Sequence, residues 1–340
     1  MTMPTTTRVF LAQYPNGEPT DNDLRIEETQ LTTPEPGQAL LQTLYLSLDP
    51  YMRGRMSKAE SYFPPLELGS TIVGGTVSRV LECPGGELTP GDLVLGYGGW
   101  QTHSVENVTH LTRLDPDKAP PSTALGILGM PGFTAYAGLL LLGKPRPGET
   151  VAVAAATGPV GSAVGQIARI HGARAVGIAG GPAKTAYLKE LGFDAALDHR
   201  SSTFADDLAT ATPDGIDVYF ENVGGHVFDA VLPRINTYGR IPLCGLVSGY
   251  NSTDLPAGPD RSSQLMGTIL KKSLTVRGFI QTEFQKDHYS DFLRDMTTWI
   301  NEGKIQYKED IVEGLENSRE AFRGLLTGKN FGKLIIHVAE

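Results

Sequence analysis

The sequence contains very little cysteine: only Cys83 and Cys244 occur among 340 residues. Two cysteines so far apart cannot form the dense disulfide framework on which small secreted domains depend. A disulfide scaffold is therefore excluded, and we expect a protein of a reducing compartment that is held together by hydrophobic cores.

Long apolar segments are missing as well. The longest run, at residues 136–142, is far shorter than the roughly 20 residues that an α-helix needs to cross a bilayer. The first ten residues, MTMPTTTRVF, lack the charged segment followed by a long apolar one that marks a secretory signal. We therefore expect a cytoplasmic protein that has no membrane partner.

Basic residues are outnumbered, with 29 Lys and Arg against 38 Asp and Glu and a net charge of −9. A basic face would need an even more acidic remainder, so we expect no nucleic-acid partner. Hydrophobic residues make up 40% of the chain and glycines number 40, which is typical of an α/β protein with many tight turns. The length is sufficient for two domains, each with its own core.

Residues 1–126 are divided by turn signals rich in proline, glycine, asparagine and aspartate. Short runs that favour strands lie between these turns, and long helical periodicity is missing. The pattern predicts a small, irregular β-barrel. Its predicted strands include residues 8–12, 38–46, 75–81 and 92–96.

From residue 127 onward, apolar runs of strand length alternate with segments of helical periodicity, which predicts an α/β domain with a doubly wound parallel sheet. The predicted strands are 151–156, 174–179, 195–197, 216–221, 239–244 and 273–279. The predicted helices include 134–142, after a break at Met130-Pro131-Gly132, and 289–302. The last segment, 311–340, should return to the first domain because six strands already complete the sheet. The predicted domains are 1–126 with 307–340, and 127–306.

The stretch 150–172, TVAVAAATGPVGSAVGQIARIHG, gives the sharpest chemical signal. A buried strand is followed by Gly158, Gly161 and Gly165, and helical periodicity begins at Val160. The N-terminus of such a helix carries unpaired N–H groups and a positive dipole end, which suit a pyrophosphate. Because the spacing differs from G-x-G-x-x-G, a glycine turn that only packs a helix against a sheet remains the alternative.

The next predicted strand, 174–179, ends where an acidic residue would hold the 2′-hydroxyl of NAD. No acid follows it. The chain continues instead with Gly180, Gly181, Pro182 and Ala183 to Lys184, which leaves room for a 2′-phosphate and supplies a cation. We therefore expect NADPH as the cofactor.

Seven motifs, taken together and in order, resemble the zinc-free medium-chain dehydrogenases/reductases. They are SLDPYMRGRM, GMPGFTAYAGL, AAATGPVGSAVGQIARI, VYFENVGG, LCGLVSGYN, VRGFI and LTGKNFGKLI. The match is to the NADPH-dependent alkenal and enone reductases, which include prostaglandin reductases, plant double-bond reductases and curcumin reductase. The resemblance implies a GroES-like barrel domain, a Rossmann domain, a homodimer, and hydride transfer to the carbon β to a carbonyl.

Zinc-dependent relatives use a cysteine, a histidine and an acid as catalytic ligands, together with a four-cysteine structural loop. With two cysteines and no cluster of Cys and His, the sequence cannot supply either site. Where the catalytic ligands would begin, the chain has Asp49-Pro50-Tyr51-Met52-Arg53, which resembles the zinc-free branch. We expect a reaction that does not use a metal.

The resemblance implies two catalytic tyrosines. Tyr250 matches the tyrosine beside the substrate, where a phenol donates a hydrogen bond to the developing enolate. Tyr51 matches a second tyrosine that lines the substrate cleft in some relatives. The alternatives are an exposed loop aromatic for Tyr250 and barrel-core packing for Tyr51. Arg53 and Arg55 are expected to be solvated, the alternative being that they hold a substrate carboxylate. Loops 56–66 and 249–262 are expected to shape the substrate pocket.

The resemblance also implies the cofactor-binding residues. Those around the pyrophosphate are Thr157, Gly158, Pro159, Val160 and Gly161. Those at the 2′-phosphate are Gly180, Lys184 and His199, the last standing where many relatives have tyrosine and making NADPH binding sensitive to pH. Those towards the nicotinamide are Asn222, Cys244, Gly245, Phe279 and Asn330. Cys244 is interpreted as a packing residue, and Phe279 either closes the nicotinamide pocket or belongs to the dimer sheet.

Two other functions stay open at this point. A zinc-free quinone oxidoreductase would keep the fold and change the substrate. A non-catalytic NADPH-binding protein would keep the cofactor and lose the reaction, although the presence of Tyr250 favours an enzyme.

Overall fold

The computed structural model describes residues 4–254 and 259–340. The chain forms two compact units, Met1–Leu125 with Glu309–Glu340, and Gly126–Lys308. Part of the loop predicted to shape the substrate pocket, residues 255–258, lies outside the described residues.

The first unit is built mainly from antiparallel strands. Its strands are β1 (Thr5–Leu11), β2 (Leu24–Gln30), β3 (Gln38–Ser47), β4 (Thr76–Glu82), β5 (Leu93–Gly96), β6 (His103–Asn107), β7 (Thr112–Leu114), β14 (Glu309–Glu313) and β15 (Lys333–His337). Its helices are α1 (Tyr51–Arg55) and α9 (Ser318–Leu326). The larger sheet runs β14-β15-β3-β4-β5-β7, with β6 also paired to β3, and β1 pairs with β2. The returning C-terminal segment thus adds β15 antiparallel to β3.

The core of this unit includes the fully buried Trp100, whose ring meets that of Phe322 on α9 edge to face at 5.4 Å. Strands β2, β6 and β7 and the helix α1 were absent from the sequence prediction. β2 reads LRIEETQ, and only Leu24 is fully buried, so its hydrophobic pattern is too weak to indicate a strand. α1 has only five residues, which is too short for helical periodicity.

The second unit contains a parallel sheet with helices. Its strands are β8 (Thr150–Ala154), β9 (Arg174–Ala179), β10 (Ala195–Asp198), β11 (Ile216–Phe220), β12 (Ile235–Leu243) and β13 (Thr275–Gly278). Its helices are α2 (Met130–Ala137), α3 (Pro159–Ile170), α4 (Pro182–Glu190), α5 (Phe204–Ala211), α6 (Gly225–Val231), α7 (Ser262–Lys272) and α8 (Thr282–Asn301). The strand order β10-β9-β8-β11-β12-β13 confirms the predicted doubly wound sheet of six strands.

Two predicted helix boundaries in this unit are wrong. The expected break at Met130-Pro131-Gly132 is instead the first turn of α2, where proline is tolerated because its missing N–H has no partner there. α2 passes into a π-helical turn at Gly138–Gly143. The last long helix begins at Thr282, and its fully buried residues Phe292 and Met296 lie in its second half, so apolar periodicity marks only that half.

No helix in the described parts of the chain is both long enough and apolar enough to cross a membrane.

Candidate functional site

A tight turn joins β8 to α3. Ala155 takes a left-handed conformation with φ of +51°, which is uncommon outside glycine, and the N–H of Gly158 donates to the Ala155 carbonyl oxygen at 3.0 Å. Gly158 is extended and precedes Pro159, the first residue of α3. The strand–turn–helix predicted from the sequence is therefore present.

Two glycines of α3 have different tasks. A Cβ on Gly161 would lie 2.5 Å from the Ala155 carbonyl oxygen and 2.7 Å from the Ala156 Cα, so only glycine lets the helix approach the turn this closely. A Cβ on Gly165 would overlap the ring of Phe193, which makes it a packing glycine. The close turn leaves the first N–H groups of the twelve-residue helix α3 available to an anion, and the residues therefore fit a dinucleotide pyrophosphate.

The site residues predicted in this unit all follow the carboxyl ends of its parallel strands. Thr157, Gly158, Pro159, Val160 and Gly161 follow β8; Gly180 and Lys184 follow β9; His199 follows β10; Asn222 follows β11; Cys244, Gly245 and Tyr250 follow β12; and Phe279 follows β13. The strand order reverses between β8 and β11, and open α/β sheets bind ligands at such a point.

Three of these residues meet beside the reversal point. The Asn222 side chain donates its Nδ2–H to the Ala154 carbonyl oxygen at 2.9 Å, which ties the end of β11 to β8. A Cβ on Gly245 would lie 3.3 Å from the Tyr250 hydroxyl and 3.4 Å from the Asn222 carbonyl oxygen, so the phenol lies over Gly245. Burial raises the pKa of Tyr250. Tyr250 is therefore an un-ionised phenol that is able to donate a hydrogen bond.

Glu221 is a residue of this edge that the sequence analysis missed. Its buried Oε1 accepts hydrogen bonds from the N–H groups of Val223 at 2.7 Å and Gly224 at 2.9 Å, and from the Tyr219 hydroxyl at 3.2 Å. Burial raises the pKa of Glu221, and these donors oppose the rise. The carboxyl group thereby fixes the turn that carries Asn222. A charged residue directly after the apolar strand VYF was the available signal.

Cys244 and Phe279 lie against the core of the unit. Burial, followed by the nearby Glu221, raises the pKa of the Cys244 thiol to about 12, so the thiol is not a nucleophile near neutral pH. The Phe279 side chain is only 8% exposed and packs against the rings of Phe220 and Phe284. Its predicted part in the nicotinamide pocket stays a prediction.

A cluster of cationic and titratable groups surrounds Gly180. A Cβ on Gly180 would lie 2.7 Å from Arg200 Nε and 3.0 Å from His199 Nε2. Lys184 lies in the first turns of α4. The Asp198 carboxylate accepts hydrogen bonds from the N–H groups of Gly181 and Arg200, both at 2.9 Å, and these two bonds are the main cause of its lowered pKa. The Asp198 carboxylate therefore binds backbone N–H groups. The other side chains around the turn, those of Lys184, His199 and Arg200, favour the binding of an anion.

The first unit carries the other predicted residues. Tyr51 opens α1, and burial together with the Asp49 carboxylate raises its pKa. The Asn330 side chain donates to the Gly332 carbonyl oxygen at 2.9 Å. The expectation that Arg53 is solvated is wrong: this residue is 6% exposed and donates to the Gly17 carbonyl oxygen at 2.9 Å, because α1 turns its side chain inward.

A buried ion pair supports the segment before Tyr51. Lys333 Nζ donates to Asp49 Oδ1 and to the Leu48 carbonyl oxygen, each at 2.8 Å, and Ser47 donates to the second Asp49 oxygen. Burial lowers the pKa of Lys333, while Asp49 and Glu309 oppose that shift. The ion pair links β15 to the segment just before α1, although the two residues are 284 positions apart in the sequence.

Within residues 4–254 and 259–340, no group of three or more His, Cys, Asp or Glu side chains is arranged to hold a metal ion.

Two family models match the chain. One, described as the N-terminal domain of oxidoreductase, covers residues 7–114, and the other, described as zinc-binding dehydrogenase, covers residues 159–298. The two-unit fold, with its glycine turn at the reversal point of a parallel sheet, has the architecture of the medium-chain dehydrogenases/reductases.

Individual relatives indicate the branch of this family to which the chain belongs. The chain is 54% identical over 333 residues to the NADPH-dependent curcumin reductase of Escherichia coli (strain K12), covering 98% of this chain and 96% of that protein. It is 42% identical to prostaglandin reductase 1 of Rattus norvegicus, covering 96% and 97%. The crystal structure of CurA from Vibrio vulnificus in complex with NADPH matches with a TM-score of 0.95 at 49% identity, covering 98% and 99%. The chain belongs to the alkenal and enone reductase branch of the medium-chain dehydrogenase/reductase family.

Proposed function

We propose that the protein uses NADPH to reduce the carbon–carbon double bond of α,β-unsaturated ketones and aldehydes. The observation that carries the proposal is the un-ionised Tyr250 hydroxyl, which lies over Gly245 beside Asn222 at the carboxyl edge of the sheet. Similarity over nearly the whole length to proteins named curcumin reductase and prostaglandin reductase supports the same reaction. The second unit is the proposed cofactor domain and the first the proposed GroES-like catalytic domain.

The residues of the second unit divide the binding of NADPH among them. The Gly158–Gly161 turn and the N-terminus of α3 hold the pyrophosphate, and Lys184, His199 and Arg200 hold the 2′-phosphate. NADPH, when bound, supplies a hydride for the β-carbon of the substrate. Asn222, held by the Ala154 carbonyl oxygen, orients the nicotinamide end.

Tyr250 stabilises the charge that develops during the reduction. As the β-carbon gains hydride, negative charge collects on the carbonyl oxygen of the substrate. A phenol donates a hydrogen bond to that oxygen only while it keeps its proton, and the raised pKa of Tyr250 ensures this near neutral pH. Tyr51, also protonated at neutral pH, is the proposed second tyrosine of the substrate cleft.

A panel assay tests this function. The purified protein is mixed with NADPH and with aryl enones, alkenals and quinones, and the loss of nicotinamide absorbance is followed. We expect kcat/KM to be highest for enones or alkenals. Higher kcat/KM for quinones would support a quinone oxidoreductase instead, and NADPH binding without turnover on any substrate would indicate a non-catalytic protein.

Changing Lys184 to Ala should raise the KM for NADPH by about 10- to 100-fold, because a hydrogen bond to the charged 2′-phosphate is lost. The KM for NADH should stay within about twofold of its original value, since NADH lacks that phosphate. Steady-state kinetics with both cofactors provide the measurement. Lys189→Ala, on the exposed side of the same helix, is the matched control. Equal effects on both cofactors would show that Lys184 does not bind the phosphate.

We also propose that the protein is a homodimer that pairs through β13. This strand is at the edge of the parallel sheet, with Val276 40% exposed, and the adjoining helix α7 exposes Met266 at 64% and Leu270 at 80%. An edge strand with apolar side chains beside it is a template for pairing with a second copy.

Changing Val276 to Arg together with Leu270 to Glu should convert the dimer to a monomer, because charges would be buried at the shared edge. Light scattering coupled to size-exclusion chromatography gives the mass. Leu68→Glu, an exposed leucine of the first unit, is the control and should leave the mass unchanged. A dimer that survives the double substitution would place the interface elsewhere.

A further inference from the structure

Two imidazoles face each other beside the Gly180 turn. His199 Nδ1 lies 3.2 Å from His226 Nε2, and His226 Nε2 also lies 3.3 Å from the His199 carbonyl oxygen. His226 is the second residue of α6, the helix that follows β11 in the chain. The sequence analysis did not connect His226 with the site.

These distances determine where the protons lie. A carbonyl oxygen only accepts, so the His226 Nε2 facing it must carry the proton. His199 Nδ1, which faces that same N–H, is then the acceptor. In its neutral form His199 therefore carries its proton on Nε2, the atom that points to the Gly180 turn. His226 thus sets the tautomer in which His199 offers a donor to an anion at the turn.

The pair is able to take one more proton without losing its contact. When His199 takes a proton on Nδ1, that N–H donates to His226 Nε2 and neutral His226 carries its own proton on Nδ1, so the inter-ring hydrogen bond is kept. A second added proton would put two N–H groups against each other. The groups that face His199 are Lys184 on α4, Arg200 and Asp198 on its own segment, and His226 on α6.

The free site disfavours that extra charge, and a phosphate reverses this. Burial lowers the pKa of His199, with His226, Arg200 and Lys184 adding to the effect and Asp198 opposing it. A bound phosphate dianion adds about two negative charges to the same space and favours protonation.

We propose that His226 is a specificity-determining residue for the 2′-phosphate: it holds His199 Nε2–H towards the Gly180 turn, and the pair takes up a proton as the phosphate binds. This inference rests on the proposed use of NADPH. Because NADH lacks the 2′-phosphate, the uptake adds to the preference for NADPH and strengthens that preference as the pH falls towards 6.5.

Calorimetric titration tests the proposal directly. NADP⁺ and NAD⁺ are titrated at pH 7.5 in two phosphate-free buffers of different ionisation enthalpy, which gives the number of protons exchanged. Since the phosphate ionises with a pKa of about 6, it is already mostly a dianion at that pH. We expect uptake of about 0.3 to 0.8 proton with NADP⁺ and less than about 0.1 with NAD⁺.

Two variants of His226 test its contact with His199. His226→Ala removes the partner of His199 Nδ1, so it should abolish the uptake and weaken NADP⁺ binding about 5- to 20-fold, with NAD⁺ binding unchanged. His226→Gln supplies an amide N–H to neutral His199 and an amide oxygen to protonated His199, so it should restore most of the affinity and of the uptake. His110→Gln, an exposed histidine of the first unit, is the control.

The outcomes distinguish this inference from the function on which it rests. If the unaltered protein does not bind NADP⁺, the proposed function fails and this inference fails with it. If it binds NADP⁺ without uptake, or if His226→Ala retains the uptake, only the role of the histidine pair is overturned. Imidazole ¹⁵N spectra of the free protein should in addition show His199 as the Nε2–H tautomer, and an Nδ1–H tautomer would contradict the proposal.

Discussion

Changing Lys333 to Met should lower the free energy of unfolding of the first unit by about 3 to 5 kcal/mol. The substitution removes the cation from a buried pair and leaves the Asp49 carboxylate without a counter-charge. The two side chains are 3% and 9% exposed, so water cannot replace the lost partner. Methionine fills a similar volume, which keeps the loss of packing small.

The chain has two tryptophans, one in each unit, so the loss of stability of the first unit can be followed separately by fluorescence. Trp100 is buried in the first unit against Phe322, and Trp299 lies in the second. In a Trp299→Phe background, the fluorescence of Trp100 therefore reports unfolding of the first unit in guanidinium chloride. The midpoint should fall for Lys333→Met and stay unchanged for Lys329→Met, an exposed lysine nearby.

A double substitution distinguishes the loss of stability caused by an unpaired buried charge from the loss caused by a missing contact. Replacing both partners, by Asp49→Leu with Lys333→Met, removes the uncompensated charge and should recover most of the stability. If Lys333→Met alone proved as stable as the unaltered chain, the Asp49 carboxylate would have to be neutralised by some other group.

The fold was predictable where the chemistry is local. The glycine turn was recognisable from the sequence because Gly158 and Gly161 are close in sequence to the strand they approach. The central strands β8, β9 and β11 are buried along almost their whole length, and their apolar runs are visible without knowledge of the fold. The predicted start of α2 was wrong because Pro131 is compatible with either a break before a helix or the first turn of one. The sequence alone does not distinguish these two cases.

Glu221 has its partners close by in the sequence, whereas the other residues that the sequence analysis missed depend on contacts between distant segments. Lys333 meets Asp49 only because β15 returns beside β3. His226 meets His199 because β10 and α6 place both beside one turn, and no spacing rule links the two positions. Arg53 was expected to be solvated because its burial depends on carbonyl groups supplied by Pro15 and Gly17.

Changing Tyr250 to Phe should lower kcat for an enone by about 10- to 1,000-fold, by analogy with removal of one oxyanion donor. The ring stays in place, and among the described residues the hydroxyl accepts one long hydrogen bond, from the Leu246 N–H at 3.5 Å, so the fold should not change. NADPH affinity, measured by fluorescence titration, should stay within about twofold because the loss is confined to the transition state. Tyr238→Phe, an exposed tyrosine of the same unit, is the control.

A comparison with Tyr51→Phe tests which of the two tyrosines donates the hydrogen bond to the enolate oxygen. If Tyr250 stabilises the enolate, its substitution lowers kcat and kcat/KM together, while Tyr51→Phe acts mainly on the KM for the enone through the shape of the cleft. Loss of turnover in Tyr51→Phe with unchanged turnover in Tyr250→Phe would transfer the donor role to Tyr51. Unchanged turnover in both variants would contradict stabilisation by a tyrosine, and Tyr250 would then be an aromatic residue of the loop without a catalytic task.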